Sequence, residues 1–215
     1  VQVFESTLED NNAYYISEEL HDYFAKDEQD KRTISVISTG MAAKTSYIVG
    51  LNFSFYDVRR KAVRLKQAGR GGGGTVLCDK NVAAIVVKRT KFTGLENDPV
   101  DVETIMKAGV SLHKRIHDHD NEQCKMRAAG TAHLTEIMDD YELLPVNNYK
   151  FGSHKDINNI SSHEYIKLFS QGMADGCWYG CSLACAKAVD HFPLQTGPWK
   201  GKEVVVDGPE YETAA

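Results

Sequence analysis

Ala68-Gly69-Arg70-Gly71-Gly72-Gly73-Gly74, followed at Val82-Ala83-Ala84-Ile85-Val86-Val87 by an unbroken apolar run, carries the strongest local pattern in the first half of the chain. Gly69, Gly71 and Gly74 spell G-x-G-x-x-G. That pattern grips a dinucleotide only when a strand leads into it and a helix opens from it, so that the pyrophosphate rests on the helix N-terminus. Here a polar, Lys/Arg-rich stretch leads in and the apolar run follows, so the spacing predicts neither context. No Gly-Lys-Ser/Thr closes the loop, which excludes a Walker phosphate loop. What remains is simpler physics. Backbone without side chains lets a flat or anionic ligand come close, its amides are donors, and Arg70 adds a fixed charge with a planar fork. A tight turn or surface loop is the competing account.

Outward from this run, Val1–Phe4, Thr33–Ser38 and Val82–Val87 read as strands, the last apolar enough to be covered on both faces. Ser17–Phe24 reads as a helix crossing between the first two. Residues 92–99 are polar, with Gly94 and Pro99, and read as a linker. Beyond it Asp98-Pro99 reads as a helix start, with Val102, Ile105, Met106, Gly109, Leu112 and Ile116 at helical spacing. A second helix is expected over Cys124–Tyr141. A third is expected from Ser161, where Ser161 and Glu164 form a capping-box pattern. The expected fold class is α+β: a β-rich part over residues 1–92, then a mainly helical part over 93–215.

The 215 residues suffice to bury a core. Lys and Arg number 25 against 30 Asp and Glu, a formal charge of −5, which argues against nucleic acid or an anionic membrane as partner. No stretch approaches the ~18 apolar residues of a membrane span. The chain opens on Val1 without a signal-peptide pattern and stops at Ala215 without a tail-like composition, as a piece of a longer protein is expected to do.

Five cysteines are an odd number, and three crowd into Cys177-Trp-Tyr-Gly-Cys181-Ser-Leu-Ala-Cys185. A secreted disulfide framework fits poorly; metal or redox use in a reducing, cytoplasmic compartment fits better. Zinc sites prefer tighter, paired spacings, and no second pair is present. On a continuous helix the three thiols would stretch over ~12 Å, too far for one ion. A loop wrapping a larger object is easier, and an iron–sulfur cube held by thiolates, usually four, is such an object. Gly176 and Gly180 would let the loop fold, and Trp178 and Tyr179 could shield it. Three buried small hydrophobes on a helix are the competing account. Cys78 and Cys124 are distant, so the fourth ligand is open. His113, His117 and His119 with Asp118 and Asp120 read as a solvated helix end in preference to a metal site. Glu210 and Glu212 flank Tyr211 after Gly208-Pro209 and are candidates for a general base, although such acids are more often simply exposed.

Taken together, the segment Ala68 to Ile85, the segment Leu144-Pro145-Val146-Asn147-Asn148-Tyr149, the three-cysteine loop and Asp207-Gly208-Pro209-Glu210-Tyr211-Glu212-Thr213 resemble, in order, the tungsten-containing aldehyde:ferredoxin oxidoreductase family. The resemblance implies that residues 1–92 are the carboxy-terminal part of a pterin-binding domain and 93–215 the start of a helical domain. It implies that Arg70, Gly71, Gly72 and Gly73 lie against a bis-pyranopterin carrying tungsten or molybdenum. It further implies that Cys177, Cys181 and Cys185 give three ligands to a [4Fe–4S] cluster, with Glu210 or Glu212 as acid/base near the metal. The implied reaction oxidises a small aldehyde to a carboxylic acid, or runs in reverse, and passes electrons to ferredoxin or another electron-transfer protein. A homo-oligomer or a partner chain stays open. The chain departs from the family pattern where its first cysteine gap is three residues and not two, where Cys78 replaces a glycine, and where the fourth cysteine is absent. The rivals are a non-catalytic iron–sulfur electron-transfer module and a zinc-stabilised binding domain.

Overall fold

The computed structural model describes residues 1–6, 12–89, 99–122, 125–171, 181–208 and 211. Two compact units divide the chain, Val1–Glu96 and Asn97–Ala215. Both helices and antiparallel sheets are present, with a four-stranded sheet early and most helix later, so the fold is α+β.

In the first unit helix α1 (Ala13–Phe24) is capped by Asn12, whose side chain accepts from the Tyr14 N–H at 3.0 Å. It precedes an antiparallel sheet of β1 (Ile34–Ser38), β2 (Leu51–Asp57), β3 (Ala62–Ala68) and β4 (Ala84–Lys88), in the order β3-β2-β1-β4. Ile34, Val36 and Ser38 of β1 are buried, each two residues from the next, as one face of a strand must be. Ile16 and Leu65 join them in the core. Ser54 ties the layers together: its hydroxyl accepts from the Val36 N–H at 2.7 Å and meets His21 Nε2 at 2.8 Å. Both His21 and Ser54 are buried, so burial holds the His21 imidazole below its ordinary pKa. Lys88 closes the sheet's edge: its Nζ donates to the Phe24 carbonyl at 2.5 Å and to Asp30 Oδ2 at 2.6 Å.

Several expectations change here. Val1–Phe4 forms no strand and is exposed, because nothing pairs with it in the sheet. Helix α1 therefore does not cross between strands. The apolar run is edge strand β4, paired among the described residues only with β1, and Ile85 and Val87 are exposed. The β2–β3 hairpin does not stand out in the sequence, because Arg59, Arg60, Arg64 and Lys66 make it read as a polar stretch. Asp57 reconciles those charges with a strand. Its Oδ1 accepts from the Arg59 and Arg60 N–H groups, and its Oδ2 faces the Arg60 and Arg64 guanidinium groups at 2.9 and 3.4 Å. Burial alone would raise the Asp57 pKa, but Arg60 outweighs it and holds the carboxyl below its ordinary value.

In the second unit helix α3 (Val102–Asp118) starts at an Asp101 N-cap, not at Asp98, which lies outside the described residues with most of the expected linker. Its apolar residues keep helical spacing, yet none is buried. The helix expected from Cys124 is shorter: a 3-10 turn Gly130–His133 leads into α4 (Leu134–Asp140), because Gly130 has φ +65° and breaks a continuous helix. Helix α5 (Ser162–Leu168) does have Ser161 as its N-cap. The capping box does not close, since the Ser161 hydroxyl donates to the Asn158 carbonyl and Glu136 Oε1 instead takes the Ser162 N–H at 2.9 Å. A small sheet follows, β5 (Ser170–Gln171), β6 (Lys187–Pro193) and β7 (Glu203–Asp207), with β6 central.

Candidate functional site

The glycine run sits between a strand and a helix, contrary to the reading from the sequence. Strand β3 ends at Ala68 and helix α2 (Gly73–Asp79) opens with Gly72 as a left-handed N-cap. The lead-in strand belongs to an antiparallel hairpin, so this is still not the parallel βαβ unit of dinucleotide sites. The segment 46–50 holds the run from below: the Gly74 N–H donates to the Val49 carbonyl at 2.8 Å and the Thr75 hydroxyl to the Ser46 carbonyl at 2.7 Å.

This packing separates the glycines by role. A Cβ on Gly72 would lie 2.6 Å from the Tyr47 carbonyl oxygen, and one on Gly74 would lie 2.1 Å from that of Gly50. A Cβ on Gly73 would lie 3.2 Å from the Leu51 side chain. Gly72 and Gly74 are glycine because backbone packs on them, whereas Gly73 meets only a side chain that can shift. Gly69 and Gly71 face open space, with nothing within 4 Å of an added Cβ. Gly69, Arg70 and Gly71 are all exposed, and the buried Thr39 hydroxyl, without a hydrogen-bond partner among the described residues, lies against Gly74. The open surface is therefore narrower than the sequence suggests: a flat or anionic group has access at 69–71, and the residues there fit it.

In the second unit Cys181 and Cys185 are free thiols, half-buried, on a segment without helix or strand. The donor chemistry of two such thiols suits a soft metal centre such as an iron–sulfur cluster. Cys177, Glu210 and Glu212 lie outside the described residues, as does Cys124; Cys78 is a free thiol in α2, in the other unit. The segment 181–186 is pinned from two sides. The Ala184 N–H donates to the Met126 carbonyl at 3.0 Å, and Gly130 approaches so closely that a Cβ there would lie 2.4 Å from the Ala184 carbonyl oxygen. Beneath it Lys187 is buried, 1 % exposed, with Nζ donating to the Cys185, Ala184 and Ala129 carbonyls. Neither Gly130 nor Lys187 stands out in the sequence; the one available signal is a lysine inside the small-residue run Ala184-Cys185-Ala186-Lys187-Ala188.

The family-resembling segment 144–149 also has an unusual backbone. Asn147, Asn148 and Tyr149 take φ of +50°, +57° and +66° in succession, closed by the Val146–Phe151 bridge. Two asparagines tolerate this; a tyrosine is strained there. At the end of α3, His119 pairs with Glu122 and His117 with Asp118, all exposed. Among the described residues no group of three or more His, Cys, Asp or Glu could hold a metal, and no helix is long and apolar enough to cross a membrane.

The fold and the free thiols are compatible with many functions, and comparison with known proteins narrows them. Residues 107–215 match the family model described as aldehyde ferredoxin oxidoreductase, domains 2 & 3, which places the chain among oxidoreductases. The chain belongs to the aldehyde ferredoxin oxidoreductase family. The matched part contains the whole cysteine loop; the glycine run precedes it. No curated protein matches the chain.

Proposed function

We propose that the chain works in an enzyme that oxidises a small aldehyde to a carboxylic acid, with electrons passing through a [4Fe–4S] cluster to ferredoxin or a similar carrier in the cytoplasm. The observation that carries this reading is the family match across the cysteine loop, whose described thiols, Cys181 and Cys185, are free and half-buried on irregular backbone. In this reading residues 1–92 are the end of a pterin-binding domain and 93–215 the beginning of a helical one.

A bound tungsten or molybdenum bis-pyranopterin would supply the two-electron chemistry at the carbonyl carbon, the aldehyde and water giving acid, two protons and two electrons. The chain's own part is to bind and to move protons. The open backbone at Gly69 and Gly71 admits the cofactor's flat, anionic body, and Arg70 offers it a planar cation, while Gly72 and Gly73 keep the loop tight beneath. Cys177, Cys181 and Cys185 give three thiolates to the cluster. Glu210 or Glu212 accepts the proton released as the acid forms.

Anaerobic purification with metal analysis and an aldehyde-dependent ferredoxin reduction assay tests the reading. Tungsten or molybdenum with about four irons per chain, and reduction only when aldehyde is present, is the expected result. Iron without tungsten, molybdenum or pterin would leave an electron-transfer module, and zinc without iron a structural domain; either overturns it.

A further inference from the structure

We propose that Tyr47, with Ile48 beside it, binds the cofactor next to the glycine run, its ring stacking on the flat pterin ring system admitted at Gly69 and Gly71. The inference rests on the pterin reading above and adds to it an apolar wall that the glycine pattern does not contain.

Tyr47 is 91 % exposed and Ile48 81 %. Single exposed apolar side chains need no account. Two in succession do when the main chain carrying them is fixed, because fixing a loop costs conformational entropy and here leaves neither side chain buried. The loop is tied on both sides of the pair. The Ser46 carbonyl accepts from the Thr75 hydroxyl at 2.7 Å, and the Val49 carbonyl accepts from the Gly74 N–H at 2.8 Å. Between these bonds the Tyr47 carbonyl oxygen lies 2.6 Å, and the Ile48 Cα 3.9 Å, from where a Cβ of Gly72 would stand. Gly50 meets the other end of the run, where a Cβ on it would lie 2.9 Å from the Gly69 Cα. The main chain at 47–50 thus abuts both neighbours of the exposed pair Arg70 and Gly71, while the side chains of Tyr47 and Ile48 stay in solvent.

The run itself supplies amides and a guanidinium, which suit the polar and anionic edges of a ligand. Ligand sites add to a few such groups a lining that is mostly apolar and aromatic. A pterin is a fused heteroaromatic like a purine base, and aromatic side chains stack on such faces whatever the ring substituents. Tyrosine suits that task, since a large flat contact is ordered at the cost of only two side-chain torsions.

The test uses the full chain purified anaerobically as wild type, Tyr47→Ala and Tyr47→Phe. Pterin per chain is followed through anaerobic dialysis, and the melting temperature is measured on protein freed of pterin. Tyr47→Ala should lose pterin about tenfold faster than wild type, and Tyr47→Phe at the wild-type rate, because the ring is kept. All three pterin-free proteins should melt together, as befits a side chain in solvent. Pterin held by Tyr47→Ala as firmly as by wild type overturns the proposal. So does equal loss from Tyr47→Phe, which would assign the effect to the hydroxyl, or a lower melting temperature of pterin-free Tyr47→Ala, which would make Tyr47 a residue of the fold. A wild type without pterin refutes the pterin reading and this inference with it, and is distinguished because the failure then precedes any substitution.

Discussion

Gly130 lies so near Cys185 that a Cβ built on it would come within 2.6 Å of the Cys185 Cα. Two segments more than fifty positions apart thus touch backbone to backbone, and the shape of the cysteine loop depends on a residue with no side chain and a φ of +65°. Gly130→Ala adds a methyl group with no room and a conformation that alanine resists. It is expected to destabilise the second unit by about 2 kcal/mol or more and, if the proposed cluster is bound, to lower the iron content of the purified protein. Urea unfolding and iron analysis check both; an alanine variant with unchanged unfolding midpoint and iron contradicts the packing.

The glycine run predicts a contrast within one loop. Gly74→Ala forces a Cβ to 2.1 Å from the Gly50 carbonyl and should cost about 2 kcal/mol or more, whereas Gly69→Ala meets nothing within 4 Å and should fold as wild type. If the open side of the run binds the pterin, Gly69→Ala lowers pterin content without lowering stability. Melting temperature and extracted pterin per chain separate the two effects. Equal melting temperatures for both variants would contradict the division between packed and open glycines.

Two groups of the first unit make its stability depend on acid in separate ranges. Burial lowers the His21 pKa, so the folded state favours the neutral ring; this contribution is complete above the ordinary value of 6.5 and is lost as pH falls below it, through the lowered folded pKa. Hydrogen bonds, first from Lys88 and then from the Lys26 N–H, lower the Asp30 pKa from 3.8 to about 2. That contribution is present above 3.8 and fades as pH falls towards 2. Nuclear magnetic resonance titration of His21 should show protonation below 6.5, and a value above it contradicts the buried neutral ring. The difference in urea midpoint between wild type and Asp30→Asn should hold steady above pH 3.8 and shrink below it.

Serine substitutions should sort the cysteines. If the proposed cluster is bound, Cys181→Ser and Cys185→Ser should strip most of the iron, because a cube held by fewer than its usual ligands is easily lost. Cys78→Ser, on helix α2 and outside the three-cysteine run, should leave iron unchanged. Iron per chain after anaerobic desalting is the measurement; full iron in Cys185→Ser would remove that residue from the ligand set.

How much of this was legible follows from where each residue draws its role. Strand β1 could be read because Ile34, Val36 and Ser38 obey a local period of two, and α1 because its apolar spacing is local too. The β2–β3 hairpin hid behind Arg64 and Lys66; the buried Arg64 belongs in a strand because its guanidinium reaches Asp57 Oδ2 at 3.4 Å. Missing that strand also hid the strand-then-helix setting of the glycine run. For the cysteine loop, thiol spacing pointed to irregular backbone. Gly130 takes its meaning from Ala184 and Cys185, far away in sequence, and Lys187 in part from the distant Ala129 carbonyl, contacts no local pattern encodes. The apolar run 82–87 misled for the converse reason: its composition is that of a central strand, but its place is an edge.

Helix α3, with no residue buried, is held by its Asp101 cap and by the pairs Glu103–Lys107 and Lys114–Asp118 along its own length. Among the described residues the support of this helix comes mainly from its own turns, as in an isolated helix. Its amide protons should therefore trade with deuterium at rates set by helix–coil fluctuation, however stable the sheet of the same unit is. For the seventeen residues Val102–Asp118 that exchange would time the helix itself and not the sheet.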